Sequence, residues 1–165
     1  MNDSEYICPV PKDQRPLNEY EKLKESSSFL WCIQDRLSFF KSFFYLLISS
    51  CALTSLILVA SSFSFASNKY FFLYSSVAGI AIVTLLCLRV YLGWQYIYSR
   101  LMEATVPYEE SGWYDGQVWI KPPEVLLQDR LIGTYEIYPG LLRLQMTVSS
   151  LLVIFILGVT LITKT

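Results

Sequence analysis

Three carboxylates in one short stretch are the residues of this sequence best suited to metal chemistry. Glu109, Glu110 and Asp115 offer hard oxygen ligands of the kind that iron and magnesium accept. The sequence contains no histidine, so the affinity for a transition metal would be modest. Carboxylates beside a turn also cap helices or form ion pairs. Both interpretations stay open, and the sequence favours the second.

The missing histidine and the spacing of the cysteines exclude most familiar catalytic and cofactor arrangements. Imidazole catalysis and histidine-ligated haem are unavailable. Cys8, in a Cys-Pro pair, could ligate haem as a thiolate or sense redox state, or it could be a structural thiol of an ordered N-terminal hook. Cys32, Cys51 and Cys87 lack the CxxC spacing of a zinc or iron–sulfur site. We predict no enzyme and no resident cofactor, with a pigment or iron as the open alternative.

Three long stretches without charged residues, called charge-free windows below, indicate the fold class. No charged residue lies between Lys41 and Lys69, between Lys69 and Arg89, or between Arg143 and Lys164, and these windows are 27, 19 and 20 residues long. About 20 apolar residues suffice to cross a bilayer as a helix. We therefore predict an all-α integral membrane protein with three transmembrane helices. An interfacial segment precedes them, and a cap lying on the membrane separates spans two and three.

The predicted regions follow from these windows. An inner-face N-terminal hook and interfacial helix occupies residues 1–41, and an inner-face cap with an amphipathic helix occupies 93–144. The transmembrane helices are predicted over 42–64, 70–92 and 145–163. Ten lysines and arginines lie in the hook and cap regions against two, Lys69 and Lys164, on the other side. This asymmetry predicts a stromal or cytoplasmic N-terminus and a lumenal C-terminus.

Small and polar residues predict how the first two spans pack. Ser50 and Thr54 fall four residues apart on one face of span one, and Ser75 and Gly79 form a matching pair on span two. Small residues let helix backbones approach closely, so we predict a tight helical hairpin. Arg89 is expected near the inner interface, where its side chain snorkels to water. The alternative is a buried arginine that pairs with a lipid phosphate, a pigment or cofactor carboxylate, or a partner subunit.

Local patterns predict the elements of the hook and the cap. Leu17, Tyr20 and Leu23 recur at helical spacing after a possible Asn18 cap, and an apolar stripe from Phe29 to Phe40 predicts an interfacial helix. The cap is predicted to contain three features. They are a hairpin of Trp113-Tyr114 with Gln117–Trp119 around Asp115-Gly116, a helix over Glu124–Thr134, and a break at Pro139-Gly140 before span three. Leu127, Leu131 and Thr134 share one face of that helix. Trp113, Tyr114 and Trp119 are interpreted as interface anchors, with pigment stacking as the alternative.

Two motifs resemble a known family. They are Cys8-Pro9-Val10-Pro11 with Gln14–Tyr20, and Tyr108–Gln117 with Trp119, Lys121-Pro122, Glu124 and Asp129-Arg130-Leu131. Together with the three-span layout they resemble the hypothetical chloroplast reading frame thirty-six family, whose nuclear-encoded relatives are called conserved in green lineage and diatoms proteins. The resemblance implies a cyanobacterial or plastid membrane and an association with photosynthetic maintenance and iron nutrition. Asp3 and Glu5 are unlike a transit peptide, so we expect the first residues to belong to the mature protein.

Two functional classes remain open. The favoured class is a non-catalytic accessory, assembly or maintenance factor of the thylakoid membrane that docks through its stromal face on a protein or pigment-protein partner. The residues expected to support docking are Cys8, Arg15, Tyr20, Tyr108, Glu110, Trp113, Tyr114, Asp115, Trp119, Asp129 and Arg130. The alternative is a small transporter, or an enzyme or binding protein for metal, haem or lipid. That class needs ionisable groups in the membrane, where Arg89 is the sole example. The net charge of −1 predicts no nucleic-acid partner.

Overall fold

The protein is mostly helical, and three of its helices are long and apolar enough to cross a membrane. A computed structural model describes residues 8–61, 70–108 and 116–164. The three helices are α3 (Arg36–Ser61), α4 (Phe71–Met102) and a continuous helical stretch, Pro123–Thr163. Many of their large apolar side chains are exposed, as expected for helices that lie in lipid. The predicted class of an all-α membrane protein is confirmed.

Helices α3 and α4 pack through the small residues that the sequence singled out. Ser50 Oγ donates to the Gly79 carbonyl at 3.0 Å, and Thr54 Oγ1 donates to the Ser75 carbonyl at 2.9 Å. A Cβ added at Gly79 would lie 2.8 Å from Cys51 Sγ and 3.1 Å from Cys51 Cα. The predicted close hairpin is confirmed, because only glycine permits this approach of the two backbones.

The third span does not begin with a break. Helix α5 (Pro123–Ile132) passes through a single π-helical segment, Gly133–Ile137, directly into α6 (Tyr138–Thr163). Pro139 has no N–H to donate, and the wider π turn, in which Tyr138 N–H bonds the Gly133 carbonyl, precedes it immediately. The predicted break at Pro139-Gly140 is therefore wrong. The cap is joined to the third span by continuous helix instead of a hinge.

The longest helix of the described part of the hook is α1, which spans Pro16–Glu25 with proline in its first turn. Asn18 does not cap it, as the sequence suggested, but lies inside the helix and donates its side-chain N–H to the Lys12 carbonyl at 2.8 Å. Because Pro16 needs no N–H partner, the helix starts three residues earlier than a cap at Asn18 would have allowed.

The apolar stripe from Phe29 to Phe40 is not one helix, contrary to the prediction. Helix α2 covers only Ser27–Leu30, and α3 begins at Arg36. The turn between them packs on α6, where a Cβ at Gly140 would lie 3.0 Å from the Cys32 carbonyl oxygen. Arg143 Nη1 also donates to the Gln34 carbonyl at 2.9 Å. These contacts stabilise the turn, whose backbone does not form the hydrogen bonds of one continuous helix.

The cap opens with a two-stranded antiparallel hairpin of β1 (Thr105–Tyr108) and β2 (Gln117–Ile120). The second strand of the predicted hairpin, Gln117–Trp119, is confirmed as part of β2, whereas the predicted first strand, Trp113-Tyr114, lies outside the described residues. Strand β1 buries Val106 and Tyr108 on one face, where they pack with Val10 of the hook. That burial selects β1 as the partner strand.

Enlarging Gly79 should separate α3 from α4. We expect Gly79→Val to lower the free energy of unfolding by about 1–3 kcal/mol, because the new side chain would overlap Cys51. Thermal unfolding in detergent measures the change. Gly116→Val is the matched control, since no atom of the described residues lies within 4 Å of a Cβ added there. Equal effects of the two substitutions would contradict the close packing.

Candidate docking site

A buried ion pair holds the cap on the end of α4. Lys121 Nζ donates to Asp129 Oδ2 at 2.7 Å, and the two side chains are 0% and 5% exposed. The same ammonium donates to the carbonyl oxygens of Arg100 at 2.9 Å and Leu101 at 3.4 Å. The last carbonyls of a helix lack intrahelical partners, so Lys121 satisfies two of them while Asp129 neutralises its charge. Helix α5 is thereby fixed to α4.

A second ion pair ties the hook to the same end of α4. Arg100 Nη1 donates to Glu19 Oε1 at 2.6 Å, and Arg100 Nη2 donates to the Gln14 carbonyl at 3.0 Å. The other carboxylate oxygen, Glu19 Oε2, is buried and has no hydrogen-bond partner in the described part of the chain. Burial raises the pKa of Glu19 even though the nearby Arg100 charge lowers it. Desolvation therefore outweighs the ion pair at this carboxylate.

The π-helical segment connects the hook to the third span. It presents Glu136, whose carboxylate accepts hydrogen bonds from the Tyr20 hydroxyl and, at 3.2 Å, from Lys24 Nζ. The Tyr20 ring also packs against Trp94, with centroids 6.1 Å apart. Burial and the hydrogen bond to Glu136 raise the pKa of Tyr20. The phenol thus stays neutral and donates at every physiological pH.

Several residues predicted to support docking hold the local structure together. Arg15 Nε donates to the Val10 carbonyl at 3.1 Å and Arg15 Nη2 to the Cys8 carbonyl at 3.4 Å, so this side chain shapes the start of the hook. The Tyr108 hydroxyl bonds Gln117 Oε1 at 2.6 Å across the hairpin. Trp119 packs half-buried beside Tyr108. Tyr20 and Asp129 likewise make contacts within the chain, and a role of these residues in docking stays a prediction.

Five predicted residues lie outside the described residues: Glu109, Glu110, Trp113, Tyr114 and Asp115. The candidate cation site of three carboxylates falls entirely among them and stays a prediction. Elsewhere, within residues 8–61, 70–108 and 116–164, no group of three histidine, cysteine, aspartate or glutamate residues is arranged to hold a metal ion. The described structure therefore adds no second metal candidate.

An exposed apolar surface on α5 and the π-helical segment is the feature that the sequence did not assign to docking. Leu127 is 63% exposed, Leu131 49% and Tyr135 75%. With Arg130 and Thr134 they line one shallow cavity of about 430 Å³. We call these five residues the outer cap face. The sequence placed Leu127, Leu131 and Thr134 on one face of the helix, but the buried Asp129 turns that face away from the protein.

The membrane-level residues are placed as follows. Arg89 is exposed on α4, with its guanidinium carbon 5.7 Å from the centre of the Phe29 ring. All four cysteines are free, and Cys8 is half-buried whereas Cys32 is buried. Burial raises the pKa of the Cys32 thiol to about 12. Cys32 is therefore unsuited to redox or metal chemistry.

Lys121, Glu19 and Glu136 were missed as organising residues. The sequence offered Lys121 only as one of several cations near the loop carboxylates, and its true partner lies eight residues further on. Glu19 and Glu136 meet partners that are 81 and 112 to 116 residues away. Only the tertiary structure could identify the partners of Glu19 and Glu136. For Lys121 and Asp129 the sequence held a usable signal, because the two residues lie eight positions apart on either side of a double proline.

Comparison with known proteins places these features in a family. The model of the CGLD27-like family, described as conserved in the green lineage and diatoms 27, matches residues 8–150. A protein of Pyropia yezoensis named uncharacterized protein ycf36 is 45% identical over 152 residues, which are 92% of each chain. A protein of the same name from Cyanophora paradoxa is 45% identical over 94% of this chain and 97% of its own.

A longer relative comes from a plant. The Arabidopsis thaliana protein named conserved in the green lineage and diatoms 27, chloroplastic, is 42% identical over 84% of this chain and 42% of its own length. No solved structure matches the chain. The matched region includes both ion pairs of α4 and the whole outer cap face.

Removing one partner of the buried pair should be far more damaging than removing both. We expect Lys121→Met to lower the free energy of unfolding by about 3–5 kcal/mol, because Asp129 would remain buried and uncompensated. The double variant Lys121→Met with Asp129→Leu should recover part of that loss. Thermal unfolding in detergent measures both. Lys22→Gln, which breaks an exposed pair with Asp13, is the control and should change little.

Thiol labelling should separate Cys8 from Cys32. At pH 8 we expect an alkylating reagent to modify Cys8 within minutes and to leave Cys32 unmodified until the protein is denatured, because a pKa of about 12 leaves almost no thiolate. Mass spectrometry of peptides reports each site. Rapid labelling of Cys32 in the folded protein would contradict the burial of this turn.

Proposed function

The chain belongs to the CGLD27-like family, conserved in the green lineage and diatoms, and from this premise we propose that it is a non-catalytic accessory factor of the photosynthetic membrane. It docks through its cap on a membrane protein or pigment-protein partner during assembly or maintenance. The observation that carries the proposal is the outer cap face, an apolar surface around one arginine. The proposal includes a link with iron nutrition, which the family resemblance implies.

The setting is a plastid membrane. The relative from Arabidopsis thaliana is named chloroplastic, and three helices of this chain are able to cross a bilayer. We propose the thylakoid as that membrane, with the N-terminus in the stroma and the C-terminus in the lumen. Two observations support this orientation. The hook and the cap meet at one end of α4, and ten of the thirteen lysines and arginines lie in those two regions.

The length of α4 supports a cap that stands clear of the lipid. From Phe71 to Arg89 the helix rises about 27 Å, close to the ~30 Å hydrocarbon core, and from Arg89 to Met102 it rises about 20 Å more. Headgroups extend only about 5–8 Å beyond the core. Gly133 packs beside Met102, so α5 lies at or beyond that end. We therefore propose a raised cap in place of the membrane-lying cap that the sequence predicts.

A partner protein then covers the outer cap face. Large apolar side chains that are half to three-quarters exposed are unfavourable in water, and lipid does not reach them at this height. Arg130 adds a permanently charged guanidinium beside them. This charge favours a partner that offers a carboxylate within an apolar patch. The loop residues Glu110, Trp113, Tyr114 and Asp115 are proposed as further contacts. Cys8, Arg15, Tyr20, Tyr108, Trp119 and Asp129 hold the surface in place.

The transporter alternative receives no such support. In the sequence, Arg89 is the only charged residue within the three predicted spans, and transport of ions or metal generally uses several ionisable groups there. The exposed surface lies instead at the polar end of the molecule. We therefore keep docking as the single proposed function.

The proposal predicts that the outer cap face determines partner binding. In gently solubilised thylakoids, we expect the wild-type chain to comigrate with a chlorophyll-containing or other photosynthetic complex. The variant Leu127→Gln with Leu131→Gln should reduce the recovered complex at least tenfold, or about 1.4 kcal/mol. Native gel electrophoresis with absorbance detection measures the recovery. Gln128→Ala, an exposed change on the same helix, is the control.

Two results would oppose this function. Isolation of the wild-type chain always alone would remove the evidence for a partner. Equal recovery with the double leucine variant would move the docking surface elsewhere on the protein.

A further inference from the structure

A cavity lies at the membrane end of the hook, between α2, α3 and α4. Its volume is about 280 Å³, and its lining combines the apolar side chains Leu46 and Leu86 with Phe29, Trp31 and Arg89. A second cavity of about 510 Å³ shares Trp31 and Leu46 with the first and continues along α3. We call these two adjacent cavities the groove, which has the Arg89 cation at one end.

The charge at that end is not neutralised within the described chain. Arg89 is exposed, and its guanidinium stacks over the Phe29 ring, with 5.7 Å from its carbon to the ring centroid. Among residues 8–61, 70–108 and 116–164, no carboxylate forms an ion pair with it. The aromatic face holds the guanidinium in position while its N–H donors remain available.

The depth of the groove identifies the environment of its ligand. Arg89 lies 18 residues beyond Phe71 on α4, a rise of about 27 Å that places it where the hydrocarbon core meets the headgroups. Trp31, whose indole Nε1 donates to the Ser28 carbonyl at 2.9 Å, is fixed at the same level. Tryptophan is typical of this interface. Below it, Leu46 and Leu86 offer an apolar wall to an acyl chain.

From these observations we propose that the groove binds one anionic membrane lipid. Its phosphate or sulfonate headgroup binds the Arg89 guanidinium, which suits a planar bidentate contact with such oxygens. One acyl chain lies along the groove past Leu46. A free anion would gain the charge contact but not the apolar one, so the lipid is favoured. The site is separate from the outer cap face, and its occupancy does not depend on the proposed docking.

Native mass spectrometry of the full chain in mild detergent tests the proposal, with phosphatidylglycerol as the probe and phosphatidylcholine as the neutral comparison. We expect one retained phosphatidylglycerol and at least tenfold weaker retention in Arg89→Gln. Arg89→Lys should be intermediate, because lysine keeps the charge but loses the bidentate contact. Lys41→Gln is the matched control, since Lys41 is an exposed cation at the same end of α3.

A second variant separates the groove from the charge. Ser27→Phe places an aromatic ring where the two cavities adjoin, because Ser27 lines both, and leaves Arg89 intact. It should also lower retention at least tenfold. Millimolar inorganic phosphate should not displace the lipid. Retention unchanged in both Arg89→Gln and Ser27→Phe, or an equal loss in Lys41→Gln, would overturn the site. Displacement by phosphate would show a simple anion site and would overturn the lipid assignment.

Discussion

The carbonyl groups at the C-terminal end of α4 need hydrogen-bond donors, and the polar segments outside the spans are arranged around the residue that supplies them. A helix that ends in a buried position leaves its last carbonyls without partners, and here Lys121 supplies them from the segment that follows the hairpin. A buried ammonium is itself unfavourable without a counter-charge, so Asp129 must lie within reach. That requirement fixes the position and rotation of α5. The face of α5 opposite Asp129 is consequently turned outward.

The same end of α4 also binds the hook, through Arg100. The carbonyl of Arg100 is bound by Lys121, while its side chain binds Glu19 and the backbone of Gln14. One residue thus joins the cap and the hook. The π-helical segment adds a second connection, because its wider turn presents Glu136 to Tyr20. Hook, cap and third span are therefore coupled by polar contacts that surround the end of one helix.

The sequence predicted the parts of the fold that depend on composition and local spacing. Few backbone structures can cross lipid, so charge-free windows were sufficient to find the spans. Ser50 and Gly79 identified the close contact between α3 and α4. The break at Pro139 was predicted from a local rule that a π turn overrides. The first strand of the hairpin depended on burial against Val10, which is about 100 residues away in the chain. The outer cap face was not predicted for a related reason, since local periodicity found the apolar face of α5 but not the direction in which it points.

The outward direction of that face relates the proposed docking surface to the proposed lipid site at Arg89. If α5 buried Leu127 and Leu131, the cap would be self-contained and its partner would be unnecessary. Burying Asp129 instead holds Lys121 against the carbonyl groups of α4 and leaves the outer cap face exposed, where we propose that a partner protein covers it. The lipid that we propose at Arg89 would hold the chain at a defined depth, because a headgroup contact resists both tilt and vertical displacement. A docking surface that stands beyond the headgroups, as proposed, is useful only if that depth is fixed.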